Sequence, residues 1–246
     1  MMKFLGHVLA LLLATTIVVA VWGFVLGRTL GSASYLEHQA SQAQLYERLG
    51  TAVPEAAIDP ADLANRVNAV LPGFIDHLTK GTPAPTFALP GGDSQTLTLG
   101  GADEQVTDAF AVLRPAAMSA PFVALALVLL IIGVMRARRL LVLSRAGLQA
   151  AISLAASAAL LWFAPSLILS LLDKPDTAAI RPVIAPFLES VLHGIATQLA
   201  AAALALLIIT IALRLVHSAG LLKNRFIKPK PPAKPQIPPA PGSVRN

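Results

Sequence analysis

Arg136-Ala137-Arg138-Arg139-Leu140-Leu141-Val142-Leu143-Ser144-Arg145 lies between two long apolar runs and carries four arginines and no acid. Short loops with this excess of arginine stay on the cytoplasmic side of a membrane. Once that loop is placed inside, the side of every other segment follows from counting spans.

Composition points the same way. Hydrophobic residues make up 55% of the 246 and charged ones 13%, and the mean hydropathy is +0.69, well past the usual soluble balance. A sequence pI near 10.1 would suit nucleic-acid binding, but the bases do not gather on one soluble face, so topology explains them better and no nucleic-acid partner is expected. There is no cysteine, which excludes disulfides, thiolate metal sites and a cysteine nucleophile. An exported region without disulfides suits a bacterial envelope.

Phe4 to Leu26 is apolar except for His7, Thr15 and Thr16, long enough to cross about 30 Å of hydrocarbon. Lys3 precedes it, and Gly31-Ser32-Ala33 would be a poor cleavage site. The run exceeds the roughly 7–15 residues of a signal-peptide core, so residues 1–27 read as an uncleaved signal-anchor.

Residues 28–116 form the one sizeable polar region, expected to be an extracytoplasmic helical domain. From position 29 onward it holds ten acids (Glu37, Glu47, Glu55, Asp59, Asp62, Asp76, Asp93, Asp103, Glu104, Asp108) against four bases (Arg48, Arg66, Lys80, Arg114). The remaining acids, Asp173, Asp176 and Glu189, fall in or beside the loop between the third and fourth spans. The expected cytoplasmic side holds Lys3, the four loop arginines and seven bases from Arg214 onward, and no acid. The opposite orientation would make this asymmetry hard to obtain.

Within the polar region, Ser32 or Ser34 can cap a helix running toward Val53, where Pro54 stops it. Asp59-Pro60 supplies an N-cap followed by proline at the first helical position, with Asp62 near the positive helix end. Leu63, Val67, Val70, Leu71, Phe74, Ile75 and Leu78 then follow helical periodicity, the cleanest amphipathic stripe in the chain. Pro72 predicts a kink or two helices end to end, and Lys80-Gly81 a C-terminus. The stripe is expected to pack on the preceding helix and the membrane mouth, or, through Leu63, Val67, Val70, Phe74 and Leu78, to meet a partner. His77 reads as a solvated face residue, since no second metal ligand is suitably spaced. Thr86–Leu89 and Thr96–Leu99, the second flanked by turn signals, could form a small hairpin or an ordered loop. The paired glycines there lack the GK[ST] continuation of a phosphate loop. Asp103 caps a helix through Leu113.

The second span is read at 117–135, the arginine-rich loop at 136–147 and the third span at 148–172. Ala151, Ala155, Ala158, Ser153 and Ser157 read as a helix-packing surface. A nucleophilic serine would need a base that is not found beside them. Trp162 is placed mid-span, and Pro165 should bend the outer half. A stiff exported loop, 173–186, precedes the fourth span at 187–216. There His193, Thr197 and Gln198 form the notable intramembrane polar cluster, which reads as an interhelical hydrogen bond or, alternatively, a solute or proton path. The tail, 217–246, is basic, proline-rich and expected to be disordered. Arg136, Arg138, Arg139, Arg145, Lys223, Arg225, Lys228 and Lys230 are the expected contacts to an anionic inner leaflet. The tail could also dock a cytoplasmic partner.

The segment Tyr35-Leu36 … Leu45-Tyr46-Glu47-Arg48-Leu49, followed by Asp59-Pro60-Ala61-Asp62-Leu63, resembles that of uncharacterised bacterial four-span membrane proteins with a helical extracytoplasmic domain between the first two spans. The resemblance covers about the first 80 residues plus the topology; it implies an envelope location and assigns no activity. The order of spans is also similar to the transmembrane subunits of mechanotransmitting ABC systems, whose exported regions are longer.

The expected fold is therefore an all-α membrane protein of four transmembrane helices with both termini cytoplasmic. The expected function is non-enzymatic, the extracytoplasmic domain binding, sensing or scaffolding a membrane or envelope protein. The alternative is a transport or ABC-type permease subunit. No HExxH or GxSxG motif and no paired intramembrane aspartates occur, so an intramembrane enzyme ranks third. No cofactor or metal is expected, and a homo-oligomer is left open.

Overall fold

The computed structural model describes residues 2–52, 59–88, 94–96, 103–135, 138–171 and 181–226. Seven helices and one two-stranded hairpin follow in the order α1 (Met2–Arg28), α2 (Ala33–Gln42), α3 (Leu45–Ala52), α4 (Pro60–Lys80), β1 (Thr86–Ala88), β2 (Ser94–Thr96), α5 (Asp103–Val134), α6 (Arg139–Leu171) and α7 (Arg181–Phe226). Four of these helices, α1, α5, α6 and α7, are long and apolar enough to cross a membrane.

The four long helices alternate in direction. At one end, Leu9, Ala10 and Leu13 of α1 pack with Ile131 and Met135 of the α5 terminus and Val142 and Ala146 of α6. At the other end, Val25 of α1 packs with Leu154 and Ala158 of α6 and Val191, Ile195, Ala196 and Leu199 of α7. The first end carries Arg138, Arg139 and Arg145 and is called the arginine end below; the second is the far end. α6 and α7 share the most extensive contact, α1 touches all three other long helices, and α5 leans mainly on α1. Outward-facing side chains such as Phe4, Phe122, Leu160, Phe163 and Leu215 are largely exposed apolar groups. That pattern suits a bundle solvated by hydrocarbon, where close approach of small residues and not apolar burial brings helices together. Two crossings show it: a Cβ on Gly23 would overlap Ala117 of α5, and one on Gly147 of α6 would overlap the Thr210 hydroxyl of α7.

Local signals place the shorter helices. Ser32 caps α2, its Oγ accepting from Tyr35 N. Asp59 caps α4 by accepting from Ala61 N at 3.1 Å, and Gly81 closes α4 at φ 68°, the left-handed region that glycine enters without penalty. Arg66–Asp62 and Lys80–Asp76 are i,i+4 ion pairs on the α4 surface. Tyr46 of α3 donates to Asn68 Oδ1 of α4 at 2.7 Å, tying the two helices together.

Several expectations change. The helix expected from Ser32 toward Val53 is two helices, broken where Gln44 adopts φ 51°. Pro72 does not divide α4, which runs unbroken from Pro60 to Lys80; one missing N–H is outweighed by the packing of the helix on α2, α3 and α5. The helix after Asp103 and the second span are one continuous 32-residue element with Pro115 and Pro121 inside it. The helix of the fourth span starts at Arg181, within the expected loop, because Pro182 sits at a tolerated first-turn position. The expected disordered tail is helical as far as Phe226; the proline-rich remainder lies outside the described residues. The hairpin pairs Thr86 with Thr96 and Ala88 with Ser94, so the second strand ends where the expected extended piece begins. His77 is not merely solvated: its Nδ1 lies within hydrogen-bonding distance of the Thr82 carbonyl.

Candidate functional site

The far end of the bundle is where the short helices meet the long ones. α1 ends in a tight turn: Thr29 is fully buried, and its Oγ1 donates to Val25 O at 2.8 Å. Gly31 N donates to Leu26 O at 3.0 Å. A Cβ on Gly31 would collide with the Gly27 carbonyl, so this turn admits only glycine. The turn fixes the direction in which α2 leaves.

On α2, Tyr35 and Gln39 are one turn apart and share a face. On α7, Ser190 and Gly194 are also one turn apart. Ser190 Oγ donates to Gln39 Oε1, and the Tyr35 phenol oxygen sits where a Cβ of Gly194 would be. Leu36 joins the apolar cluster beside them. The Tyr35 hydroxyl is buried with no hydrogen-bond partner among the described residues. Burial pushes the Tyr35 phenol above its usual value of 10.0.

One residue from Gly194, the His193 imidazole turns toward α6. It stacks on Trp162 with centroids 4.2 Å apart, and its Nε2 lies 3.2 Å from the Trp162 carbonyl. A carbonyl only accepts, so Nε2 carries the donated proton. Thr197 Oγ1 donates to His193 O at 2.8 Å, the usual way a helix hydroxyl is satisfied inside a membrane. Gln198 is half-buried, and no hydrogen bond joins it to His193 or Thr197 among the described residues. The expected triad is therefore a His193–Thr197 pair attached to Trp162. Trp162 itself lies nine residues from the end of α6 and not mid-span. A groove of about 560 Å³ runs from Trp162 and Thr197 toward the arginine end, lined by Ala155, Ala159 and Ala200.

The other expected contacts are distributed as follows. Leu63, Val67, Val70, Phe74 and Leu78 are each half-buried on α4, while Ile75 beside them is buried. Arg138 and Arg139 are exposed at the arginine end, and Arg145 Nη1 donates to His7 Nε2 at 3.2 Å. Lys223 and Arg225 lie on the last turns of α7; Arg136, Lys228 and Lys230 lie outside the described residues. Sequence reasoning missed Gln39 and Ser190, which are 151 positions apart. The one local signal was the pairing of Tyr35 with Gln39 at helical spacing. Comparison with protein families, with curated proteins and with solved structures finds no match to this chain.

Proposed function

We propose that the chain is a non-enzymatic integral membrane protein of the cell envelope, with the arginine end and both termini in the cytoplasm. In this reading α2, α3 and α4 stand outside and bind, sense or scaffold a partner protein. The orientation rests on the segregation of bases at one end and acids at the other. The observation that carries the function is the attachment of α2 to α7 through Gln39–Ser190 and Tyr35–Gly194. It couples the polar helices to the helix whose opposite end bears Lys223 and Arg225, so a load or ligand outside bears directly on a membrane-crossing element.

The alternative is a transport or permease subunit using His193. It is less well supported, because His193 and Thr197 direct their hydrogen bonds to neighbouring backbone and the groove beside them is lined mainly by alanine and leucine.

Two measurements test the proposal, and the cysteine-free background makes both clean. With Gln42→Cys and Arg138→Cys, an impermeant thiol probe on intact cells should label the first and not the second; the reverse pattern overturns the orientation. Ser144, a natural choice for the inner probe, is fully buried and would be silent on either side. A photo-crosslinker at Leu63 or Val67 in native membranes should give a discrete protein adduct that is absent at the outward-facing Phe122. A lack of discrete adducts at both Leu63 and Val67, whatever Phe122 gives, rejects the partner-binding reading.

A further inference from the structure

A second concavity, of about 480 Å³, opens at the far end between α1, α4 and α5. Its size falls in the range of about 300–1,000 Å³ typical of small-ligand sites. Its floor belongs to the long helices and is apolar: Ala20, Gly23 and Phe24 of α1, and Ala117, Met118 and Pro121 of α5. Its rim belongs to the last turns of α4 and to Arg114 in the fourth turn of α5, and is polar: Asp76, Thr79, Lys80 and Arg114.

The charges at this rim are unequal. Lys80 Nζ is taken up by Asp76 at 2.6 Å, and the Thr79 hydroxyl donates to Ile75 O at 2.7 Å. Arg114 is exposed and forms no ion pair among the described residues. Arg28 adds a further cation nearby, its guanidinium 5.3 Å from the ring centroid of Phe24, which lines the cavity. The mouth is therefore net positive in a region of the chain that is otherwise acidic. An apolar floor continuous with the membrane-facing surface, topped by cations, matches an acyl chain carrying an anionic head.

We propose that this cavity binds one anionic phospholipid of the adjacent leaflet, its acyl chain lying along Gly23, Ala117 and Met118 and its phosphate held by Arg114. The site gives the scaffold reading a lipid ligand, and it rests on the same placement of the far end at a membrane surface. A lipid seated there touches α4 and α1 together, so its presence would set the angle at which the polar helices stand on the bundle.

The test uses the full chain, purified and examined by native mass spectrometry with phosphatidylglycerol or phosphatidylcholine added at equal concentration. The wild-type protein should retain one phosphatidylglycerol in preference to phosphatidylcholine. Arg114→Gln should lower that preference about fivefold, the size of one basic group's attraction to an anionic lipid, and Arg114→Lys should keep most of it. Gly27→Leu places a side chain where an added Cβ meets no atom within 4 Å, in the wall of the cavity, and should reduce retention of both lipids without disturbing the fold. Arg66→Gln, ten or more residues back along α4 from the rim and paired with Asp62, serves as the charge control and should change nothing. Equal retention of the two lipids by the wild type, or unchanged retention in Gly27→Leu, overturns the proposal. So does displacement of the lipid by inorganic phosphate, which would mark a site for a soluble anion. These outcomes do not depend on the thiol-labelling and adduct experiments, so either reading can fail while the other stands.

Discussion

The imidazole of His193 lies against the indole of Trp162 at an interplanar angle of 18° while its Nε2 reaches the backbone carbonyl of the same tryptophan. One residue of α7 thus holds one residue of α6 by a ring face and by a proton. Pro165 stands three positions further along α6, where it removes a backbone donor from the same turn. The two contributions can be separated by substitution. His193→Phe keeps the stack and loses the donor, and should cost about 0.6 kcal/mol, the average for an interhelical hydrogen bond in lipid. His193→Ala loses both and should cost about 2 kcal/mol, with a coupling to Trp162→Leu of about 1 kcal/mol in a double-mutant cycle. Reversible unfolding in mixed micelles measures all three. Equal losses for the phenylalanine and alanine variants would show that the stack contributes nothing.

The Tyr35 hydroxyl faces Gly194 with no hydrogen-bond partner among the described residues, and a buried polar group in that state is destabilising. Tyr35→Phe is therefore expected to be neutral or to stabilise by up to about 1 kcal/mol. Gly194→Ala should do the reverse. Its Cβ occupies the phenol's position, so the flexible tyrosine must swing aside and give up its packing of α2 against α7. Hydrogen exchange should rise in residues 33–42 and stay unchanged in α6. Combining Gly194→Ala with Tyr35→Phe should restore part of the protection; no restoration would mean that α2 is held elsewhere.

The parts of this fold legible in the sequence were those that local chemistry fixes. Ser32, Asp59-Pro60 and Gly81 act within one helical turn, and each cap is where its residue type places it. The four long apolar helices follow from length and composition. Proline does not end a helix where tertiary contact compensates for a lost N–H, as at Pro115 and, for the two-helix alternative, at Pro72, because a sequence shows the missing donor and not the neighbours that hold the helix. The break at Gln44 gave no warning, since glutamine rarely adopts a left-handed backbone. At the site, His193 and Thr197 were legible as polar residues in an apolar run. Trp162, Gln39 and Ser190 were not, because their roles exist only once distant helices meet.

Gly23 gives a contrasting case to Gly194. An added Cβ there meets the Cβ and Cα of Ala117, short and rigid groups that cannot swing away. Gly23→Ala should force α1 and α5 apart at a cost of about 1–3 kcal/mol, the usual penalty for overpacking. Ala117→Gly should relieve much of it when combined. Loss of α1–α5 disulfide crosslinking between engineered cysteines one turn away would report the separation directly. Unaltered crosslinking in Gly23→Ala would mean that this crossing is looser than its geometry implies.

Alkaline sensitivity should originate in the short helices. The Tyr46 phenol is pushed above 10.0 by burial first and by the Glu37 carboxylate second. Its neutral form is the one that donates to Asn68. A folded-state value above the unfolded one means that the associated stability is complete below pH 10 and is lost as pH climbs through the raised value. Tyr35 shifts in the same direction by burial, so α2 and α3 should loosen together above pH 10 while the four long helices keep their circular dichroism. Tyr46→Phe should cost about 1 kcal/mol at neutral pH through the lost hydrogen bond, yet decline less steeply in alkali. Glu37→Gln should bring the ultraviolet titration of Tyr46 back toward 10, because the repulsion that disfavours phenolate is gone. An alkaline transition that is unchanged in both variants would place the sensitive group outside the α3–α4 contact.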